Sequence, residues 1–114
     1  MEPVPGVRAR WWNAGHMLGS ASIEIEYANG KNAPVRVLVS GDLGPDCSVF
    51  HHESEAPDAL DHVFLESTYG NRLHPNIDSK AELEMYINNT VLNGGTIIIP
   101  SFAVERAQTV MYLL

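Results

Sequence analysis

Residues 21–44 read ASIEIEYANGKNAPVRVLVSGDLG. The first seven alternate without a break. That pattern puts Ile23 and Ile25 on one face of a strand and Glu24 and Glu26 on the other. Asn29-Gly30 is a turn dipeptide. VRVLV, residues 35–39, then reads as the returning strand of a hairpin. It runs directly into Ser40-Gly41-Asp42-Leu43-Gly44, an aspartate set between glycines. The hairpin is the anchor from which the rest of the chain can be laid out.

Toward the N-terminus, residues 7–13 (VRARWWN) alternate briefly and then give two tryptophans, a short strand. Toward the C-terminus, residues 40–61 form a long polar connection. A segment of that length without regular structure is often functional. HVFL, residues 62–65, is a short apolar strand, and residues 66–76 are loop. Asp78 or Ser79 can cap a helix over residues 80–93, with Leu83, Ile87, Thr90 and Val91 on one face. Gly94-Gly95 ends it. TIII, residues 96–99, is short enough for a buried strand. After Pro100-Ser101, residues 101–114 carry Ala103, Ala107, Val110, Met111 and Leu114 at helical spacing. The resulting order of strands and helices is an α/β layout.

Four of these strands run into loops that hold small residues beside a ligand or catalytic group. The first gives Asn13-Ala14-Gly15-His16 and then Leu18-Gly19-Ser20. The second is the Asp42 loop. The third gives Glu66-Ser67-Thr68-Tyr69-Gly70, and the fourth Pro100-Ser101-Phe102. Strand ends on one rim are where α/β proteins place their sites. A histidine and an aspartate between glycines suit a divalent metal such as Zn²⁺ or Mn²⁺. A catalytic zinc takes at least three protein ligands, so two are not enough. His51, His52, His62 and His74 are the spare histidines. Taken singly, each residue also has a plainer reading. His16 can hydrogen-bond a turn, Asp42 can stabilise one, and Glu66 can cap a loop or pair with an arginine. His51 and His52 sit in an acidic surface stretch, and Arg106 is an ordinary exposed helical residue.

Composition narrows the field. Lys+Arg is 7 and Asp+Glu is 14 in 114 residues, a formal charge of −7. That disfavours a free-standing nucleic-acid binder that relies on a basic face. An apolar content of 45% is too high for a disordered chain. The single cysteine, Cys47, excludes an internal disulfide framework and a cysteine-based zinc finger. No 18-residue apolar run or signal core is present, so a reducing cytoplasm is the default. The final helix stops in the middle of its apolar face, so the chain reads as a piece of a longer protein.

AGHMLGS (residues 14–20), SGDLG (40–44), LESTYGNRLH (65–74) and IPSFAVERAQ (99–108) occur in that order. Together they resemble the β-CASP branch of the metallo-β-lactamase superfamily. That branch contains RNA-processing nucleases, such as the nuclease of the cleavage and polyadenylation specificity factor and its bacterial and archaeal relatives. The resemblance covers nearly the whole chain. It implies an αββα sandwich, with residues 1–93 in the hydrolase domain and residues 94–114 opening the cap domain. It implies a zinc-ligand role for His16 and a zinc-bridging, catalytic role for Asp42. Glu66 matches an acidic residue on the active-site rim that is needed for nuclease activity. Ser67, Thr68, Tyr69, Ser101 and Arg106 fall where substrate would be bound.

By the same resemblance the cofactor is a pair of Zn²⁺ ions and the substrate is RNA, cleaved endonucleolytically or from the 5′ end. Two such ions clamp the attacking and leaving oxygens of a phosphodiester and bring a water to ionise near neutral pH. The family's His-x-His-x-Asp-His motif is absent here and is expected upstream, and two further histidines are expected beyond Leu114. The isolated chain is therefore expected to be inactive and to hold zinc weakly or not at all. No membrane partner is implied, and a homodimer is compatible. Two other readings stand beside this one: a non-catalytic subunit, and a hydrolase of the same superfamily acting on DNA or a small molecule.

Overall fold

The computed structural model describes residues 1–28, 30, 33–44, 50, 53–73 and 77–114. It divides into two compact units, Met1–Thr68 and Tyr69–Leu114. The first unit is built on one sheet of β1 (Val7–Asn13), β2 (Ala21–Tyr27), β3 (Val35–Val39) and β4 (His62–Phe64), in that spatial order. β1, β2 and β3 are antiparallel neighbours, and β4 runs parallel to β3. Parallel pairing needs a long crossover, and residues 40–61 supply it. The start of β4 is pinned where Asp61 N–H donates to the Arg36 carbonyl at 2.9 Å. The Asp61 carboxylate in turn accepts from Arg36 N–H at 2.7 Å.

The register pairs Trp12 with Ser22, Arg10 with Glu24 and Glu24 with Leu38. Period-two geometry then gives the sheet one face with Ala9, Trp11, Ile23, Ile25, Val37 and Val39 and another with Trp12, Ser22, Glu24, Arg36 and Leu38. The second, more polar face is the buried one: Ser22, Glu24 and Leu38 are 2%, 1% and 6% exposed. On the apolar face Trp11 is 53% exposed and Ile23 37%. A carboxylate can be buried only when its oxygens are satisfied. Glu24 accepts from Trp12 Nε1 at 2.9 Å and Arg36 Nε at 2.9 Å, and Arg36 Nη2 lies 2.7 Å away. Burial pushes its carboxyl up, but the hydrogen bonds from Arg36 and Trp12 and the charges of Arg36 and Arg10 outweigh it. The net effect holds it below the ordinary glutamate value.

The second unit holds α1 (Ser79–Leu92) and α2 (Arg106–Leu113). Asp78 caps α1: one of its carboxylate oxygens accepts from Lys80 N–H and Ala81 N–H, both at 3.1 Å. At the other end Gly94 takes φ 66°. There Gly94 N–H reaches the Val91 carbonyl at 3.0 Å and Gly95 N–H the Thr90 carbonyl at 2.9 Å. This is the Schellman arrangement that stops a helix at glycine. Leu83 and Ile87 of α1 and Leu113 of α2 line one groove.

Two expectations need correction here. Residues 96–99 form no strand, and Ile98 is 85% exposed. An apolar run becomes a strand only beside a partner ladder, and the described residues of this unit offer two helices and none. The final helix begins at Arg106 rather than residue 101. Glu105 has φ 74° and ψ −68°, a γ-turn conformation in which Arg106 N–H donates to the Val104 carbonyl at 3.1 Å, and it interrupts a right-handed helix. The α/β class stands: a mixed four-stranded sheet with two helices.

Candidate active site

The site is built at the ends of β1, β3 and β4. After β1, Asn13 Oδ1 accepts from Gly15 N–H at 3.0 Å. Gly15 has φ 66°, which favours glycine. The chain then folds back. Ala14 N–H donates to the Ser20 carbonyl at 3.2 Å and Ser20 N–H to the Met17 carbonyl at 2.9 Å. The Ser20 hydroxyl oxygen accepts from His16 N–H at 3.0 Å and Met17 N–H at 3.1 Å. Four hydrogen bonds inside seven residues therefore hold the backbone that carries His16.

After β3, Ser40 is 2% exposed and bonded on every side. Its N–H donates to the Phe64 carbonyl at 2.9 Å, which continues the pairing with β4. Its carbonyl accepts from the Ser22 hydroxyl at 2.8 Å. Its own hydroxyl donates to the Gly41 carbonyl at 2.7 Å and accepts from Glu66 N–H at 3.0 Å. The Glu66 carboxylate then reaches back, accepting from Leu43 N–H at 3.1 Å and Thr68 N–H at 3.0 Å. Asp42 thus lies on a strap tied on one side at Gly41 and on the other at Leu43. Both ties lead to Glu66, just past the end of β4.

The strap is pressed onto the His16 turn. Gly44 N–H donates to the Ala14 carbonyl at 2.9 Å. A side chain at Gly44 would collide with the backbone of Gly15 and His16. The consequence is that His16 and Asp42 line one open hollow of about 330 Å³, with Met17, Leu18, Gly19, Ser20 and Ala21. Among the described residues the Asp42 carboxylate accepts no hydrogen bond, and it is exposed to solvent. The Glu66 carboxyl is held below the ordinary range by its hydrogen bonds from Thr68 first, then by the Leu43 N–H and by His16 nearby.

The structure therefore brings His16, Asp42, Glu66 and Thr68 to one rim. Ser67 is exposed beside them. Tyr69, Ser101 and Arg106 belong to the second unit. There the Arg72 guanidinium lies 5.0 Å from the Tyr69 ring centroid. The Ser101 hydroxyl donates to the Ile99 carbonyl at 3.4 Å, and Arg106 opens α2 with an exposed side chain. His62 is the first residue of β4, paired with Val37. Cys47, His51, His52 and His74 lie outside the described residues.

An imidazole and a carboxylate facing one solvent-filled hollow fit a borderline divalent cation such as Zn²⁺. They fit as part of a ligand set, since among the described residues no group of three or more His, Cys, Asp or Glu gathers. In the sequence Ser20, Ser40 and Gly44 stand in the candidate loops without a role of their own, and Ser22 goes unmarked. Their signal was faint but present: small residues placed next to the His16 and Asp42 loops.

No family model matches the chain. It is 34% identical over 113 residues to endoribonuclease YSH1 of Saccharomyces cerevisiae, covering 97% of this chain and 14% of that protein. It is 36% identical over 112 residues to an RNase J-like protein of Methanocaldococcus jannaschii, covering 95% and 25%. It is 40% identical over 102 residues to a ribonuclease of Thermus thermophilus, covering 89% and 22%. The chain thus spans between about a seventh and a quarter of the length of these relatives.

Proposed function

We propose, on the premise that this chain is homologous over nearly its whole length to one segment of these ribonucleases, that it forms part of the active site of a metal-dependent hydrolase of RNA phosphodiester bonds. The observation that carries the reading is the shared hollow of His16 and Asp42, formed by two turns locked against each other at Gly44. In this reading the sheet is one layer of an αββα sandwich. Residues 1–93 belong to the hydrolase domain, and residues 94–114 open a β-CASP cap. The exposed apolar face with Trp11 and Ile23 supports a further layer there.

His16 and Asp42 would hold divalent cations, two Zn²⁺ in all, with the remaining ligands supplied from elsewhere in a protein the size of the relatives. When bound, the cations lower the pKa of a water and offset the charge of the phosphate. The chain's own residues do the positioning. Asp42 presents a carboxylate that is not committed to another described group. Glu66 accepts one backbone N–H on each oxygen, which fixes the Asp42 strap and leaves acceptor sites with which it could assist proton transfer. Thr68 is drawn to the rim by its N–H bond to Glu66, and Ser67 and Tyr69 would bind the substrate strand as well. Ser101 and Arg106 would also bind substrate.

The chain's charge of −7 suits this division of labour, because cations rather than lysines and arginines would meet the phosphates. Among the described residues no helix is long and apolar enough to cross a membrane. A cytoplasmic RNA-processing role belongs to the same proposal. The test is RNA cleavage by the full-length protein in zinc buffer, comparing wild type with Asp42→Ala. A fall of about 100-fold or more, roughly 2.7 kcal/mol of transition-state stabilisation, is expected. Retained cleavage would overturn the role of Asp42.

A further inference from the structure

The hydroxyl of Ser40 has no assigned task, yet it links the Asp42 strap at Gly41 to the backbone of Glu66. It is nearly inaccessible to solvent. It uses its donor on the Gly41 carbonyl at 2.7 Å and an acceptor position on Glu66 N–H at 3.0 Å. A serine hydroxyl offers one donor and two acceptor sites, so two of its three capacities are committed to two different chain segments. One is the residue immediately before Asp42. The other is the residue whose carboxylate holds Leu43, immediately after Asp42. The four groups close a ring: Ser40 hydroxyl to Glu66 backbone, Glu66 carboxylate to Leu43, and Leu43 through Asp42 and Gly41 back to Ser40.

Gly41 makes this ring necessary. Its φ of 59° turns the backbone sharply out of β3. Glycine also has more unfolded-state freedom to lose than any other residue. Without a tie the peptide on either side of Gly41 could rotate, and the Asp42 carboxylate would swing with it. The Ser40 hydroxyl tethers the Gly41 carbonyl and thereby restricts that rotation. It also fixes where Glu66 leaves β4, so that the carboxylate can reach Leu43.

We infer that Ser40 is a positioning residue, which sets the angle at which Asp42 meets a divalent cation. The inference rests on the reading of His16 and Asp42 as cation ligands. It adds a residue that touches neither cation nor substrate. Groups that orient a metal ligand through hydrogen bonds typically change metal affinity by about 10–100-fold when removed.

The experiment uses the full-length protein and its Ser40→Ala, Ser40→Thr and Asp42→Ala variants. Two quantities are read: zinc occupancy against buffered free zinc, and hydrogen exchange of the Glu66 and Leu43 amides in metal-free protein. Ser40→Ala is expected to raise the zinc midpoint about tenfold and to speed exchange at both amides, with cleavage recovering as zinc is raised. Ser40→Thr, which keeps the hydroxyl, is expected to return the midpoint toward wild type. A merely structural loss would lower the melting temperature and leave the zinc midpoint in place, and that result overturns the inference. Should the alanine variant not fold, Ser40→Cys keeps the size with only a weak hydrogen-bonding group. The same midpoint shift is expected there, and a wild-type midpoint is equally fatal. If Asp42→Ala leaves zinc binding intact, the wider reading of the site fails instead.

Discussion

Glu24 and Glu66 are both held below the ordinary glutamate value by hydrogen bonds, yet they do opposite work. Glu24 lies in the middle of the sheet, 1% exposed, and its partners are side chains on the neighbouring strands, Trp12 and Arg36. Glu66 lies beyond a strand end, and its partners are the backbone N–H groups of two loops and the Thr68 side chain. A carboxylate paired with a guanidinium fork and an indole fastens strands that are already in register. A carboxylate bonded to peptide N–H groups fastens chain that has no ladder of its own. The first stabilises the fold, and the second gives shape to a loop that carries a ligand.

The largest effect that separates them is on stability. Glu24→Ala leaves the Arg36 charge facing a buried face without its partner, which costs about 3 kcal/mol. Denaturant unfolding should show that loss, with the zinc midpoint of the folded protein unchanged. A zinc shift of the size seen for a site residue would erase the distinction. Next comes Gly44→Ala, which forces a methyl group into the Gly15–His16 backbone and costs about 2 kcal/mol. Unlike Glu24→Ala, it should also lower zinc retention on dialysis, because it parts the two turns that form the hollow. Glu66→Gln is expected to act more on function than on stability. Its amide keeps the size but presents a donor where the loop supplies N–H groups. Cleavage should fall by about tenfold with little change in melting temperature.

Acid is the mildest probe and acts on both. Each carboxyl has a lower pKa folded than unfolded, so the unfolded chain takes up the proton more readily. Their stabilisation is present at pH above the ordinary glutamate value of 4.5 and fades as the pH falls from there through the folded values. Unfolding followed against pH should therefore show a loss below that point. Glu24→Gln should flatten part of the acid limb, and a limb identical to wild type would contradict the account of Glu24.

Much of this was legible in the chain itself. Unbroken alternation gave β2 its full range, Asp78 or Ser79 marked the start of α1, with Asp78 the cap in the structure, and Gly94-Gly95 marked its end. Glycines beside His16 and Asp42 marked the loops that meet. Alternation gives a period but not a sign, so it could not tell that the Glu24 face is the covered one. That depends on Trp12 and Arg36, which arrive from the strands on either side. The ring through Ser40 and Glu66 depends on the parallel pairing of β3 with β4 across 22 intervening residues, and local patterning carries no trace of it. Residues 96–99 failed as a strand for the same reason in reverse, because a local pattern called for a partner that the described residues of the unit do not supply. The role of Gly44 became visible only once the two turns were seen to touch.

The central claim about the molecule is that His16 and Asp42 are ligands of the same cation site. Zinc bound per chain, measured on the purified full-length protein before and after His16→Ala, tests that most directly. The variant is expected to retain its fold and to lose at least one equivalent of zinc. An unchanged zinc content in a folded His16→Ala protein would contradict it.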